Sequence, residues 1–342
     1  MGPLSCIMAI FVNPVAAANL LMLVRWPDGV VCPHCKESSN IKKRGRYMTC
    51  LQRYYCKDCK RSFNDKTGTI LHYKHVGPGQ WMMLVWGFFG GPTNGMSINY
   101  LANEIGSYPV VYYLIKNMMT MVYNLPTKKL SGTVEHDEAY ARAGSKGTKI
   151  DGKDGLYTIP SRRGLPRISG RGTYEKDLPM VTAAYQRADK TIRDCVVYNV
   201  HQGGKKLADI VEETVKPGSR MYTDEYMAYS SLGKRGYEHE TVNHSEDEYA
   251  SGENNEVHTN NCECVVGLLK WWQKKHRGVS KQNLHLYTKS YEFIRNHRHC
   301  NYTGRMLTAM SAILGTYRGR EYYRVQSKAC RTDTNGSLIQ IH

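Results

Sequence analysis

The sequence has no apolar run of the roughly 18 to 20 residues that a membrane-spanning helix needs. Its apolar N-terminal stretch, LSCIMAIFVNPVAAANLLMLV, lacks the basic start of a signal peptide. It is interrupted at Asn13-Pro14 and runs straight into RWPDG and a cysteine motif. A short helix is expected there, capped by Asn13 with Pro14 in its first turn. Acidic residues are scarce: 30 Asp and Glu stand against 47 Lys and Arg, giving a formal net charge of +17 and a pI near 9.3. A hydrophobic content of 41% and a charged content of 23% are ordinary for a globular protein. The charge excess points to a polyanionic partner, most commonly nucleic acid. A disulfide framework is also missing. The 11 cysteines are odd in number, and Cys6, Cys50, Cys195, Cys262, Cys264, Cys300 and Cys330 are scattered. The other four form two C-x-x-C pairs, which suits a reducing compartment and one metal site.

With 342 residues the chain can hold two or three domains. After an N-terminal helix, 1–26, the segment 27–70 contains VCPHCKESSNIKKRGRYMTCLQRYYCKDCKRSF. Cys32, Cys35, Cys56 and Cys59 supply four thiolates able to close a tetrahedron around zinc, so a zinc ribbon is expected. The segment is too small and polar to hold a core unaided, so folding and zinc binding should be coupled. His34 and Cys50 are not needed as ligands. Lys42, Lys43, Arg44, Arg46, Arg53, Lys57, Lys60 and Arg61 surround the knuckles, interleaved with Tyr47, Tyr54 and Tyr55. Such a set suits phosphate contacts.

Residues 71–127 read as a helical, helix-turn-helix-like domain. QWMMLVWGFFGG is an apolar helix ended by Gly90-Gly91-Pro92. Ser97 then caps a second helix, Gly106 makes a turn, and Pro109 opens a third at its first position. This geometry can present a helix to a major groove. The last helix contains Lys116 as its one basic residue, so DNA contact and plain packing or dimerisation remain equal readings.

From residue 131 the texture becomes that of strands. SGTVEHDEAYA ends a short β run at Asp137. LPMVTAAYQR and TIRDCVVYNV, joined by ADK, read as a hairpin, and GGKKLADIVEETVKPG as an amphipathic helix. SRMYTDEYMAY is a strand with Asp224 at its C-terminal end, and a helix starts near Asn260. The order β-β-β-α-β-α matches a ribonuclease H-like mixed sheet, in which the first and fourth strands are neighbours. Asp137 and Asp224 would then meet, and Glu263 would join them from the helix. Three such acids would bind two divalent cations, Mg²⁺ or Mn²⁺, through oxygen. Two cations can activate a water or a 3′-hydroxyl in phosphodiester chemistry. Lys270, two helical turns after Glu263, would share its face and hold a phosphate. Glu135, Glu138, Glu225, Asn260 and Asn261 lie close enough in sequence to be rivals. The asparagines rank lower because they offer only a neutral oxygen. His244 and His258 either contact DNA or shape the site. Trp271 and Trp272 are assigned to the core or a dimer face before any stacking on bases.

The stretches RWPDGVVCPHC, YYCKDCKRSFNDKTGTIL, GTVEHDEAYA, YTDEYMAY, GYEHETVNHSEDEYASG, VHTNNCECVVGLLK and HLYTKSYEFIRNHR together resemble the Merlin superfamily of cut-and-paste DNA transposases and its prokaryotic insertion-sequence relatives. They run in family order over most of the chain. The resemblance implies a multidomain α+β protein with a zinc ribbon and a ribonuclease H-like D-D-E catalytic domain, 128–300. Its acids would be Asp137, Asp224 and Glu263, with Lys270 as the basic residue downstream. Some relatives use Asn as the third ligand, which keeps Asn260 as a rival. Cys264 and Gly267 depart from the usual Ser and bulky residue. A basic, Gly-rich insertion, 141–177, would be an arm over DNA, with Arg162, Arg163, Arg167 and Arg171 in contact. A basic tail, 301–342, would follow.

The implied function is binding of terminal inverted repeats, cleavage at the element ends and strand transfer into target DNA. The working form would be a homodimer or larger synaptic complex, intracellular and DNA-associated: in the nucleus of a eukaryote, or the cytoplasm and nucleoid of a prokaryote. The alternatives are a catalytically silent DNA-binding regulator derived from a transposase and a structure-specific nuclease.

Overall fold

The structure, a computed structural model, describes residues 9–91, 94–141, 143–144, 149–152, 155–158, 178–190, 193–201, 206–242 and 250–317. The chain divides into two units, Met1–Leu125 with His297–His342, and Pro126–Asn296.

The first unit opens with α1 (Pro14–Arg25), whose start is set by the Asn13 side chain accepting from the Val15 and Ala16 amides at 3.0 and 3.1 Å. Ala17, Ala18, Leu20 and Leu21 form its buried stripe. Three antiparallel strands follow, β1 (Ile41–Tyr47), β2 (Leu51–Cys56) and β3 (Ser62–Asn64). Arg25 ties the helix to this ribbon by donating to the backbone carbonyls of Asn64, Asp65 and Thr67. Burial lowers its pKa to about 10. The apolar helix α2 (Pro78–Val85) runs on into a π-helical turn, Trp86–Gly90. Next come α3 (Ile98–Ile105) and α4 (Tyr108–Tyr123), joined by a tight turn with Gly106 at φ 137°. Ser97 caps α3 by accepting from the Tyr100 amide. The cap of α4 is Ser107, so Pro109 sits within the first turn, one place later than expected.

The second unit is built on a five-stranded mixed sheet. Its strands are β4 (Thr133–Tyr140), β7 (Met180–Gln186), β8 (Cys195–Val200), β9 (Arg220–Asp224) and β10 (Glu238–Val242), in spatial order β10-β9-β4-β7-β8. Strands β4, β7 and β8 form an antiparallel meander, while β9 and β10 run parallel to β4. This is the mixed sheet of a ribonuclease H-like domain. The crossover from β8 to β9 contains α5 (Leu207–Thr214), whose buried Leu207, Ala208, Ile210 and Val211 pack with Val134, Val197 and Met221 of the sheet. On the chain beyond β10 lie α6 (Asn260–Lys274) and α7 (Leu284–Asn296). Edge strand β8 is covered by α7: the Asn296 side chain exchanges two hydrogen bonds with the Val196 backbone, and Glu292 accepts from the Tyr198 amide.

Three features differ from the sequence expectations. Strand β4 does not stop at Asp137 but runs to Tyr140, because β7 keeps pairing with it as far as Tyr140↔Met180. Strand β10 was not anticipated: EHETV buries only Val242 fully, so backbone pairing to β9 rather than an apolar face defines it. Within the insertion expected at 141–177, a short hairpin, β5 (Lys149–Gly152) and β6 (Gly155–Thr158), is present. Arg162, Arg163, Arg167 and Arg171 lie outside the described residues, as does His244.

The segment expected as a tail begins with α8 (Tyr302–Leu314), which belongs to the first unit. Met306, Leu307, Ala309, Met310, Ala312 and Ile313 of α8 are buried. It crosses the π-helical turn so closely that a Cβ on Gly90 would lie 2.9 Å from the Tyr302 carbonyl oxygen. No helix among the described residues is long and apolar enough to cross a membrane.

Candidate active site and zinc centre

The ribbon turns bring Cys32, Cys35, Cys56 and Cys59 together. Cys32 and Cys59 Sγ are 3.6 Å apart, as are Cys35 and Cys56 Sγ, and all four sulfurs lie within 4.8 Å of one another. A tetrahedron of Zn–S bonds of about 2.3 Å has edges of about 3.8 Å, so the thiols fit a structural Zn²⁺ with little adjustment. Around them the apolar cluster is small: Tyr54 and Phe63 stack at 5.2 Å, with Trp26 set edge-on to Phe63. Tyr54 is therefore a core residue, not a DNA-facing aromatic. Lys42, Lys43, Arg44, Arg46, Arg53, Lys57, Lys60 and Arg61 are all exposed, and Arg44 lies over the Tyr55 ring.

The acids come together through the sheet register. Strands β4 and β9 pair in parallel as far as Glu135↔Tyr222. The ladder ends there; Asp137 lies two residues further along β4 and Asp224 two further along β9, and the charge of Asp224 is felt at Asp137. Here β9 is ending while β7 still supports β4, so both carboxylates lie where the sheet opens.

Glu263 comes from α6, whose apolar face of Cys262, Val265, Val266, Leu269 and Trp272 is buried. The opposite face carries Glu263, Gly267 and Lys270, spaced by about one helical turn each. A cavity of about 390 Å³ is lined by Asp137, Glu138, Glu263, Gly267 and Lys270, together with Ala139, Tyr140 and Val266. Asp224 stands beside this lining, and its charge is felt at Asp137. A Cβ on Gly267 would meet open space, so the departure from a bulky residue leaves room between Glu263 and Lys270.

The acidic cluster fits hard cations. Burial, the adjoining Glu138 and the charges of Asp224 and Glu263 push Asp137 up to about 7. A cation among these oxygens would relieve both the repulsion and the desolvation. Among the described residues, the four thiols are the one group of at least three His, Cys, Asp or Glu whose ligand atoms lie within 4.8 Å of one another. Asp137, Glu138 and Glu263 share a cavity at wider spacing.

The rivals separate clearly. Glu135 is fully buried, and its oxygens accept from Arg187 Nε, the Asn261 side chain and the Asn261 and Cys262 amides. It does not line the cavity, and Asn261 is engaged with it. Asn260 is exposed at the first position of α6, and Glu225 is exposed after β9. Glu138 does line the cavity and accepts from the Tyr229 hydroxyl at 2.7 Å. His136, fully buried on the same side of β4, lies 3.0 Å from the same hydroxyl, and burial lowers its pKa to about 4. His258 contacts Arg187 through Nδ1 and through its carbonyl. The tryptophans divide: Trp272 is 1% exposed in the core, whereas Trp271 is 63% exposed. Sequence reasoning assigned no role to Arg187 or Tyr229. Tyr229 closes the YTDEYMAY stretch and Arg187 sits in no motif, but for both only long-range partners reveal what they do.

Comparison with known proteins agrees with this two-part layout. A family model for a transposase zinc-ribbon domain matches residues 13–62, and one for an ISXO2-like transposase domain matches residues 129–296. The chain is 37% identical over 290 residues to a Halobacterium salinarum protein described as an uncharacterized protein in the transposable element ISH50. That match spans 83% of this chain and 92% of the relative.

Proposed function

The chain belongs to the ISXO2-like insertion-sequence transposases, and from that premise we propose that it is a D-D-E enzyme cutting element ends and joining them to target DNA. Asp137, Asp224 and Glu263 are the ligands for two Mg²⁺ or Mn²⁺ ions. When bound, these ions activate the attacking oxygen and stabilise the leaving one in phosphodiester exchange. The single observation that supports the reading is the cavity lined by Asp137 of β4 and by Glu263 and Lys270 of α6, with Asp224 ending the neighbouring strand β9.

In this reading each side chain has a separate task. The two aspartates, on neighbouring strands of one sheet, form a rigid pair. Glu263 closes the set from α6. Lys270, two turns along the same face, holds a phosphate oxygen of the bound strand. Glu138, held by Tyr229, adds negative charge at the cavity wall and favours cation entry. The exposed Lys and Arg residues of the ribbon contact the backbone of the terminal repeats. Two ends must be cut together, so the working form is a homodimer or larger synaptic complex.

The test is cleavage and joining of labelled DNA carrying the element's own ends, with Mg²⁺ or Mn²⁺, for wild type, Glu263→Gln and Asn260→Ala. Loss of both steps in Glu263→Gln alone, with DNA binding retained, is the expected result. An active Glu263→Gln beside an inactive Asn260→Ala would move the third ligand to Asn260. Wild-type protein that binds the ends and never cuts them would replace the enzyme with a DNA-binding regulator.

A further inference from the structure

We propose that Glu135 and Arg187 form a buried clamp that sets the spacing of the three acid-bearing elements, acting as positioning residues for Asp137, Asp224 and Glu263. The proposal rests on the metal-binding reading of those acids. The elements concerned are β4, β9 and α6, and the clamp touches each one two residues before its acid: at Glu135 before Asp137, at Tyr222 before Asp224, and at Asn261 before Glu263.

The contacts form one connected set. Glu135 Oε1 accepts from Arg187 Nε and from Asn261 Nδ2, both at 2.6 Å. Glu135 Oε2 accepts from the Asn261 and Cys262 amides at 2.9 and 3.0 Å. Those amides are among the first N–H groups of α6, which have no partner within the helix. Thr259, at the N-cap position, makes no capping bond with its side chain. A carboxylate on a strand 126 positions away thus does the work of the missing cap. It fixes the start of α6 against β4.

Arg187 extends the clamp in two directions. Nη1 donates to the Glu256 carbonyl at 2.6 Å, and Nη2 to His258 Nδ1 and the His258 carbonyl at 3.0 and 3.1 Å, so the chain entering α6 is held as well. The guanidinium also lies 4.8 Å from the centre of the Tyr222 ring on β9. Tyr222 is itself the register partner of Glu135 across the β4–β9 ladder. Strand residues rise about 3.3 Å each, so both strand contacts sit within about 7 Å of the acids they steady. Metal affinity depends on such outer contacts because ligands must be held to within about half an ångström.

An ordinary buried ion pair would affect only stability, and a measurement of metal binding separates the two roles. Mn²⁺ binding to zinc-loaded protein is followed by electron paramagnetic resonance, alongside thermal melting, for wild type, Glu135→Gln, Arg187→Met, the double variant and Asp137→Asn. Glu135→Gln and Arg187→Met are expected to raise the Mn²⁺ half-saturation by about 10-fold or more. The double variant should be no worse than the weaker single one, because both remove one clamp. Asn261→Ala, which deletes a single bond from a half-buried position, should give a smaller shift in the same direction. It decides the matter if the charged-residue variants do not fold.

Lower melting with a wild-type half-saturation overturns the clamp while leaving the acidic site intact, provided Asp137→Asn has lost Mn²⁺ binding. If Asp137→Asn binds Mn²⁺ as wild type does, the acidic-site reading falls and the clamp falls with it.

Discussion

The ribbon draws its four thiols from two short turns, Cys32–Cys35 and Cys56–Cys59, each closed by local backbone geometry, while the acidic cavity of the other unit draws its carboxylates from a strand and a helix far apart in sequence. The thiols already stand at near-tetrahedral spacing, 3.6 Å along two edges. The carboxylates stand further apart, beside a cavity that remains open between Glu263 and Lys270. The apolar cluster around the ribbon thiols is small, Tyr54 and Phe63 with half-buried Trp26, Val30 and Ile41, so a bound ion must help hold the fold. The sheet unit has a large core of its own and can shape an acidic site without help from a cation. One site is a structural cross-link; the other is an acidic cavity formed by the sheet unit's own packing.

That contrast breaks most readily at the ribbon. Cys56→Ser, or removal of zinc with a strong chelator, is expected to unfold residues 27–70, since a structural zinc site contributes about 10–16 kcal/mol. Zinc content and proteolysis within the ribbon check this, and chelation that leaves the ribbon protease-resistant would remove the difference between the sites. Next in size, Trp272→Ala should destabilise the sheet unit by about 3–5 kcal/mol, because the ring is buried against Tyr287 and Tyr291. Trp271→Ala, on the exposed face, should stay within about 0.5 kcal/mol by urea unfolding. Equal effects would mean that the helix does not face the core as described.

A smaller effect is expected from the exposed arginines. Arg44→Ala should weaken binding to DNA of any sequence and reduce the slope of log affinity against log salt by about 1. A change confined to the element's own ends would instead assign Arg44 a base contact. A small effect of the opposite sign is expected at the cavity. Gly267→Ala adds a methyl into open space on a helix and should stabilise the unit by about 0.5–1 kcal/mol in chemical denaturation. Destabilisation would show that the helix backbone at this position is tighter than its surroundings suggest.

Much of the architecture was legible from local pattern. The two C-x-x-C pairs, the Asn13 and Ser97 caps and the β7–β8 hairpin follow from residue type and period, and the neighbouring strands β4 and β9 from the likeness of the element order to a ribonuclease H-like sheet. Strand β10 was missed because EHETV lacks an apolar alternation, and the end of β4 was set three residues short because Asp and Glu are poor strand formers. In sequence, a core tyrosine between basic residues, such as Tyr54, is no different from a surface one. At the candidate site the acidic residue types were readable, but the sorting among them was not. Glu135 and Asp137 have the same parity on one strand. Only Arg187, 52 positions away, and the start of α6 distinguish the buried carboxylate from the one at the rim.

By itself the sequence determined the four-thiol cluster, the basic character of the ribbon and most of the order of strands and helices, because each depends on residue type and short spacings along the chain. Tertiary structure alone decided which carboxylate faces the cavity and which is buried beneath it, that Trp271 and Trp272 part company, and that α8 returns to the first unit. These outcomes depend on partners dozens to hundreds of positions distant, and the free energy of burying a charge is set by those partners rather than by its neighbours in the chain.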